Sequence, residues 1–134
     1  MHTKSILSYN SVVGGYQCNS FVTLGVYVGL PGFPSLVSTS TPQDCHWTLV
    51  APHEDSVFQV RINYFDLPVS TGCSSHSLTV YDGLSDSSPQ LAKLCGNICG
   101  KQLIPLSKRF AYIKLHIDSI GAFRGFQAVI EEAL

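Results

Sequence analysis

The sequence predicts an all-β protein, folded as an antiparallel sandwich or barrel. Apolar residues recur at every second position in several short segments, which is typical of half-buried strands. Clusters of glycine, proline, serine and aspartate separate these segments, and no long stretch has the spacing of an amphipathic helix. Many short strands joined by turn-forming residues favour a sandwich or a barrel.

The alternating segments follow one another along the whole chain. They are 22–28, 46–49, 58–64, 78–80, 111–117 and 126–130. The first has valine or leucine at every second position, and the third alternates from Phe58 to Tyr64. Asp82-Gly83, directly after the fourth, is a hairpin turn signal. We expect each segment to be a strand with one face in the core.

Composition narrows the class of protein. The 134 residues are 45% hydrophobic and 13% charged, with a net charge of −1, whereas about 25% charged residues is typical. A nucleic-acid-binding protein would be strongly basic, and a disordered chain would be more charged and less apolar. One globular domain at 14–134 is the natural reading, preceded by a polar, flexible N-terminal arm at 1–13.

The five cysteines indicate an oxidising compartment, so we expect an extracellular or secreted protein. The N-terminus lacks the apolar run of a secretory signal. We therefore expect the signal to have been removed, or the chain to be a piece of a longer protein. The most apolar stretch, 21–37, is broken by glycines and prolines and predicts no membrane span. Composition alone leaves the cysteine pairing open.

Short blocks in a specific order resemble a CUB domain from about Gly14 to Glu131. The blocks are Cys18, 32–34, 44–49, 51–52, 64–67, Cys73, 78–83, 94–96, 115–118 and 125–128. The resemblance implies a jelly-roll-like sandwich of two antiparallel sheets. It also implies two disulfides, Cys18 with Cys45 and Cys73 with Cys95.

Cys99 is then left over, and three interpretations stay open. It forms an intermolecular disulfide with a partner or a second copy, it is an inert free thiol, or it replaces Cys95 in the bridge to Cys73.

The resemblance also raises the question of calcium, which many CUB domains bind through several carboxylates. Two of the three acidic positions of the family pattern hold Pro68 and His76 here, and only Asp118 keeps its carboxylate. Calcium prefers six to eight oxygen ligands, so we predict no metal site and no cofactor. We expect Asp118 to cap a turn with its carboxylate and Asp66 to be structural.

Catalytic patterns are absent from the sequence. The histidines show no metal-ligating spacing, and neither a Cys-x-x-Cys pair nor a Gly-x-Ser-x-Gly elbow occurs. His116, Asp118 and Ser119 are close in sequence, but strand alternation separates Ser119 from the other two. We predict that the protein is not an enzyme, and we expect His46 and His116 to lie on strand surfaces.

Two surfaces are candidates for binding. A basic set that could hold a sulfated glycan or an acidic partner comprises Lys101, Lys108, Arg109, Lys114 and Arg124. An apolar set that could form an interface comprises Tyr27, Leu30, Phe33 and Leu36. The alternative interpretations are a solvated face for the first set and a cover over one end of the sandwich for the second.

The sequence thus favours a non-catalytic extracellular recognition module that binds another protein, or a second copy of itself, without calcium. One alternative is a glycan- or heparin-binding protein similar to the spermadhesins, which are single-module relatives. Another is a structural subunit of an extracellular assembly.

Overall fold

A computed structural model describes residues 15–35, 37–39, 43–118 and 121–133, and these ranges are all-β, as predicted. The strands are β1 Ser20–Thr23, β2 Val37–Thr39, β3 Gln43–Val50, β4 Phe58–Asp66, β5 His76–Tyr81, β6 Gln90–Leu94, β7 Asn97–Ile98, β8 Gln102–Pro105, β9 Phe110–Ile117, β10 Gly121–Phe123 and β11 Gly125–Glu132. A single 3-10 turn, Thr71–Cys73, precedes β5. In these ranges no helix is long and apolar enough to cross a membrane. The predicted N-terminal arm, 1–13, lies outside the described residues.

Two main sheets make up the domain. A five-stranded sheet has the order β1-β3-β9-β5-β6, and a second sheet has the order β11-β4-β7 with β8 also paired to β4. Strands β10 and β2 form a separate pair. The antiparallel expectation holds for every one of these pairs except β1 with β3, which is parallel. Parallel neighbours need a crossover connection, and the long segment between these two strands provides one.

The first predicted strand, 22–28, is in fact two pieces. Strand β1 ends at Thr23, and Gly25 turns the chain with a φ of 81°. The N–H of Val26 donates to the carbonyl of Thr23 within this turn. Val28 then forms an isolated bridge with Ala128 on the other sheet. Val22 and Val28, at the two ends of this segment, are both buried. Val22 lies in the five-stranded sheet, and Val28 bridges to β11 of the second sheet.

The core lies between the two sheets. Trp47 of β3 and Phe126 of β11 are both fully buried and meet edge to face, with ring centroids 5.1 Å apart. Strand β9 alternates as predicted, with every second residue from Ala111 to Ile117 buried. In a β-sandwich, side chains on the inward faces of the two sheets usually meet in this way to form the core.

The alternation predicted for β4 fails at its C-terminal end. The register between β4 and β11 shifts at Gln127/Ala128, so that Gln127 faces Tyr64 while Ala128 faces Ile62. This bulge leaves one residue of β4 extra and reverses the faces beyond it. Tyr64 is therefore 39% exposed, and Phe65 takes the core position.

Candidate functional site

The domain contains two disulfides. Cys18 is joined to Cys45 with Cα atoms 5.0 Å apart, and Cys73 is joined to Cys95 with Cα atoms 5.4 Å apart. These are the pairs that the family resemblance implies. Cys99 is a free thiol and is exposed, just after β7. The alternative bridge from Cys73 to Cys99 is not the one formed in the structure.

At one of the positions where the family pattern has a carboxylate, this chain has an imidazole. His76 is only 6% exposed, and its Nδ1 accepts a hydrogen bond from the backbone N–H of Asp118 at 3.4 Å. The same N–H donates to the carbonyl of Ser75 at 2.9 Å. The hydroxyl oxygen of Ser70 accepts from the N–H groups of Ser75 and His76. The turn that the Asp118 carboxylate is expected to cap includes 119 and 120, which lie outside the described residues.

These residues do not fit a calcium ion. Proline offers no side-chain ligand at position 68, and Asp118 is the one carboxylate of the family pattern that is present. Within the described ranges, no group of three or more His, Cys, Asp or Glu side chains could hold a metal. Asp66 is engaged elsewhere, since its carboxylate accepts from Asn97 Nδ2 at 3.0 Å and from the backbone N–H of Arg124 at 2.9 Å. Its role in the structure is to connect β4 to β7 and β11.

The predicted basic residues do not all remain free for a polyanion. Lys114 Nζ lies 3.1 Å from the carboxylate of Asp86, and this bond raises the pKa of Lys114. Arg109 lies 3.5 Å from a carboxylate oxygen of Glu54, and it donates to the Ala51 carbonyl. The members Lys101, Lys108 and Arg124 make no ion pair with any described residue. Lys114 lies on the five-stranded sheet, whereas Lys101 directly precedes β8 of the other sheet.

The predicted apolar set divides in the structure. Leu30 is 3% exposed and belongs to the core, so its assignment to an interface was wrong. It belongs to the same buried cluster as Val28, Phe123 and Phe126. Tyr27 is 40% exposed and Phe33 is half-buried. Leu36 lies outside the described residues.

Phe33 is the middle of an aromatic row formed by Tyr16, Phe33 and Tyr64. The rings of Tyr16 and Phe33 are nearly parallel with centroids 6.2 Å apart, and Tyr64 meets Phe33 edge to face at 5.4 Å. Gly29 permits this packing, because a Cβ there would lie 3.0 Å from the Tyr16 ring and 2.5 Å from a backbone carbonyl. The sequence pattern placed Tyr64 in the core, so only the β4 bulge reveals the row.

A polar network lies beside the aromatic row on the same sheet. Gln127 donates to the Tyr16 hydroxyl at 2.9 Å, and Asn63 donates to Gln127 at 3.1 Å. Arg61 binds both Asn63 and Glu131. The bond to Arg61 holds the pKa of Glu131 below its usual value, and bonds to Glu131 and Tyr27 raise the pKa of Arg61. The network thus links Tyr16 of the aromatic row to Glu131 through four hydrogen-bonded or ion-paired contacts.

The outer face of the five-stranded sheet contains a groove of about 500 Å³. His116 Nδ1 lies 2.6 Å from the Asp44 carboxylate at one end of it. Lys93 and Lys114 line its sides. This contact joins the neighbouring strands β3 and β9, and it was not predicted from the sequence.

Comparison with known proteins agrees with this architecture. The model of the CUB domain family matches residues 22–129. Cubilin of Sus scrofa is 32% identical over 113 residues, which is 84% of this chain but 3% of cubilin. The extracellular region of zebrafish Gpr126/Adgrg6 superimposes with a TM-score of 0.67 at 23% identity, covering 88% of this chain and 15% of that one. The MASP-1 CUB2 domain bound to Ca²⁺ gives a TM-score of 0.63 at 17% identity, covering 78% of this chain and 89% of that one.

The matched range includes both sheets, the Trp47 core contact and the His76–Asp118 pair. The chain spans only a small part of the curated relatives that it matches. The likeness to the solved domains shows a β-sandwich fold. The chain therefore belongs to the CUB domain family, whose members are generally extracellular protein-interaction modules.

Proposed function

We propose that this CUB domain binds an extracellular protein without calcium, as a non-catalytic module. The observation that carries the proposal is the bond from the Asp118 N–H to buried His76. In this arrangement an imidazole of the protein itself accepts from the N–H of Asp118 at the end of β9, where the resemblance implies carboxylates around an ion. The sandwich and its two disulfides support a rigid display of loops in an oxidising compartment.

The aromatic row is the surface that we propose for the partner. Tyrosine, phenylalanine and arginine are enriched at the energetic centres of interfaces. Here Tyr64 is 39% exposed and Tyr27 is 40% exposed, with Arg61 held nearby by Glu131. Large aromatic side chains with few rotatable bonds lose little entropy on binding.

A capture experiment with a matched control tests both parts of this proposal. The immobilised domain is incubated with extracellular proteins, once with calcium and once with a chelator. We expect the same partner in both, with retention lost in Tyr64→Ser and kept in Val69→Ser, because Val69 is 87% exposed but outside the aromatic row. Capture that needs calcium, or that Tyr64→Ser leaves unchanged, would contradict the proposal.

A structural role in an assembly is the second candidate, because Cys99 is both free and exposed. An exposed thiol in an oxidising compartment can pair with another chain.

Heparin binding has weaker support, since Arg109 and Lys114 are engaged with acidic residues. It predicts retention on heparin that salt weakens and that substitution of Lys108 and Arg109 abolishes.

A further inference from the structure

Two residues with hydroxyl groups, Ser77 and Thr79, line the groove on the outer face of the five-stranded sheet. Ser77 and Thr79 of β5 point outward, because Leu78 and Val80 between and after them are fully buried in the core. Both outward residues are nevertheless only 6% exposed, since longer side chains rise around them. Neither hydroxyl makes a hydrogen bond with any described residue, although both residues line the groove.

The two hydroxyl oxygens are not among the fully buried polar atoms of the described residues, so both are open to the groove. A hydroxyl can both donate and accept. Ser77 and Thr79 are two residues apart on one strand, so their hydroxyls are spaced by roughly 7 Å along the groove. They offer a ligand two ready sites for hydrogen bonds.

Positive charge lies directly beside Thr79. In the strand register Thr79 is opposite Lys93 of β6 on one side and Lys114 of β9 on the other. Lys114 is anchored by Asp86, whereas Lys93 makes no ion pair with a described residue. Both lysines line the groove. A carboxylate above Thr79 could accept from its hydroxyl and from the ammonium group of Lys93, and charge-assisted bonds of this kind are the stronger ones.

The two ends of the groove differ in chemistry. Tyr81 lies next to Thr79 on one side and lines the groove. Its ring contacts that of Tyr112, with centroids 6.1 Å apart, and supplies an aromatic surface. On the other side, next to Ser77, is the His116–Asp44 pair, which offers further polar atoms. An aromatic face beside convergent polar groups suits a ligand whose rings are apolar on one face and hydroxylated at the edge.

The position of the groove excludes one common mode of peptide binding. Strands β5 and β9 lie inside the sheet, so their backbone groups are already paired on both sides. A peptide strand can be added only at a sheet edge, so recognition here depends on side chains alone. A compact ligand rich in hydroxyl groups meets that requirement.

We propose that this groove binds a carboxylated sugar, with the carboxylate at the Thr79 hydroxyl and the Lys93 ammonium group and the sugar ring against Tyr81. The site lies on the opposite sheet from the aromatic row, so it does not depend on the proposed protein interface. Its failure would leave that interface untouched.

The test is a titration of the intact chain followed by NMR, using three probes. Sialyllactose and a glucuronate-terminated disaccharide carry the carboxylate in two different sugars, and lactose is the neutral control. We expect saturable shifts of the Ser77 and Thr79 amides with at least one acidic sugar, and about tenfold weaker binding of lactose. Which acidic sugar binds identifies the source of the carboxylate.

Variants complete the test. Thr79→Val keeps the shape of the side chain and Lys93→Gln removes one charge, and we expect each to weaken the acidic sugar by about tenfold. The matched control is Lys101→Gln, a lysine beside the other sheet, which should leave binding unchanged. Absence of binding at millimolar concentrations overturns the proposal, as does equal binding of lactose. Unchanged affinity in both groove variants, with the native spectrum retained, overturns it as well.

Discussion

The backbone N–H of Asp118 donates to Nδ1 of His76, a buried side chain on the neighbouring strand. This bond joins the end of β9 to the start of β5 in the region where the family resemblance places calcium. Both of its partners belong to the protein, so we expect the bond to form with or without calcium.

Calcium should leave the thermal stability of the wild-type domain unchanged. A bound ion at 100 times its Kd would add about 2.7 kcal/mol, or on the order of 10 °C in Tm for a domain of this size. We expect the melting curves with millimolar calcium and with a chelator to coincide. As a positive control, Pro68→Glu combined with His76→Asp restores the two missing carboxylates and should produce a calcium-dependent rise. A rise in the wild type would contradict the absence of a site.

Phe126→Ala should be strongly destabilising, because this ring fills the space under Trp47 between the sheets. We expect a loss of about 3–5 kcal/mol in the free energy of unfolding, measured in urea. Phe21→Ala is the matched control, since Phe21 is 68% exposed, and it should change stability by less than about 0.5 kcal/mol. Similar effects of the two substitutions would refute the sandwich core described above.

Substitution of the cysteines should separate structure from assembly. Cys99→Ser should remove any covalent dimer from non-reducing gels and leave Tm unchanged, because Cys99 is in no internal bridge. Cys95→Ser opens a loop with a sequence separation of 22 residues and should cost about 3 kcal/mol. A large loss of stability in Cys99→Ser would show that this thiol has an internal role.

Acid should weaken the domain partly through Glu131. The Arg61 bond lowers the pKa of this carboxyl in the folded state, so its contribution is present above the ordinary value of 4.5 and is lost as the pH falls through the lower folded value. We expect the Tm of the wild type to fall faster below pH 4.5 than that of Glu131→Gln. Parallel pH profiles for the two proteins would contradict this linkage.

Sequence patterns alone predicted the strand class and the alternation of β9, and the family resemblance implied the two pairs of cysteines that the structure joins. These features depend on local side-chain periodicity or on the order of residues along the chain. The sequence analysis was wrong in placing Tyr64 in the core and Leu30 at an interface. It made no prediction about a site at Ser77 and Thr79. A bulge at Gln127/Ala128 exposes Tyr64, and the turn at Gly25 carries the following segment onto the second sheet.

The contacts between side chains on different strands follow from how the strands pair in the folded protein. Thr79 lies between Lys93 and Lys114, and His116 lies beside Asp44, because the register aligns residues that are distant in sequence. Side chains on one strand alternate with a period of two, so a shift of one residue would send each of them to the opposite face. The composition of a strand predicts that it has two faces. Its neighbours and their register decide what each face can bind.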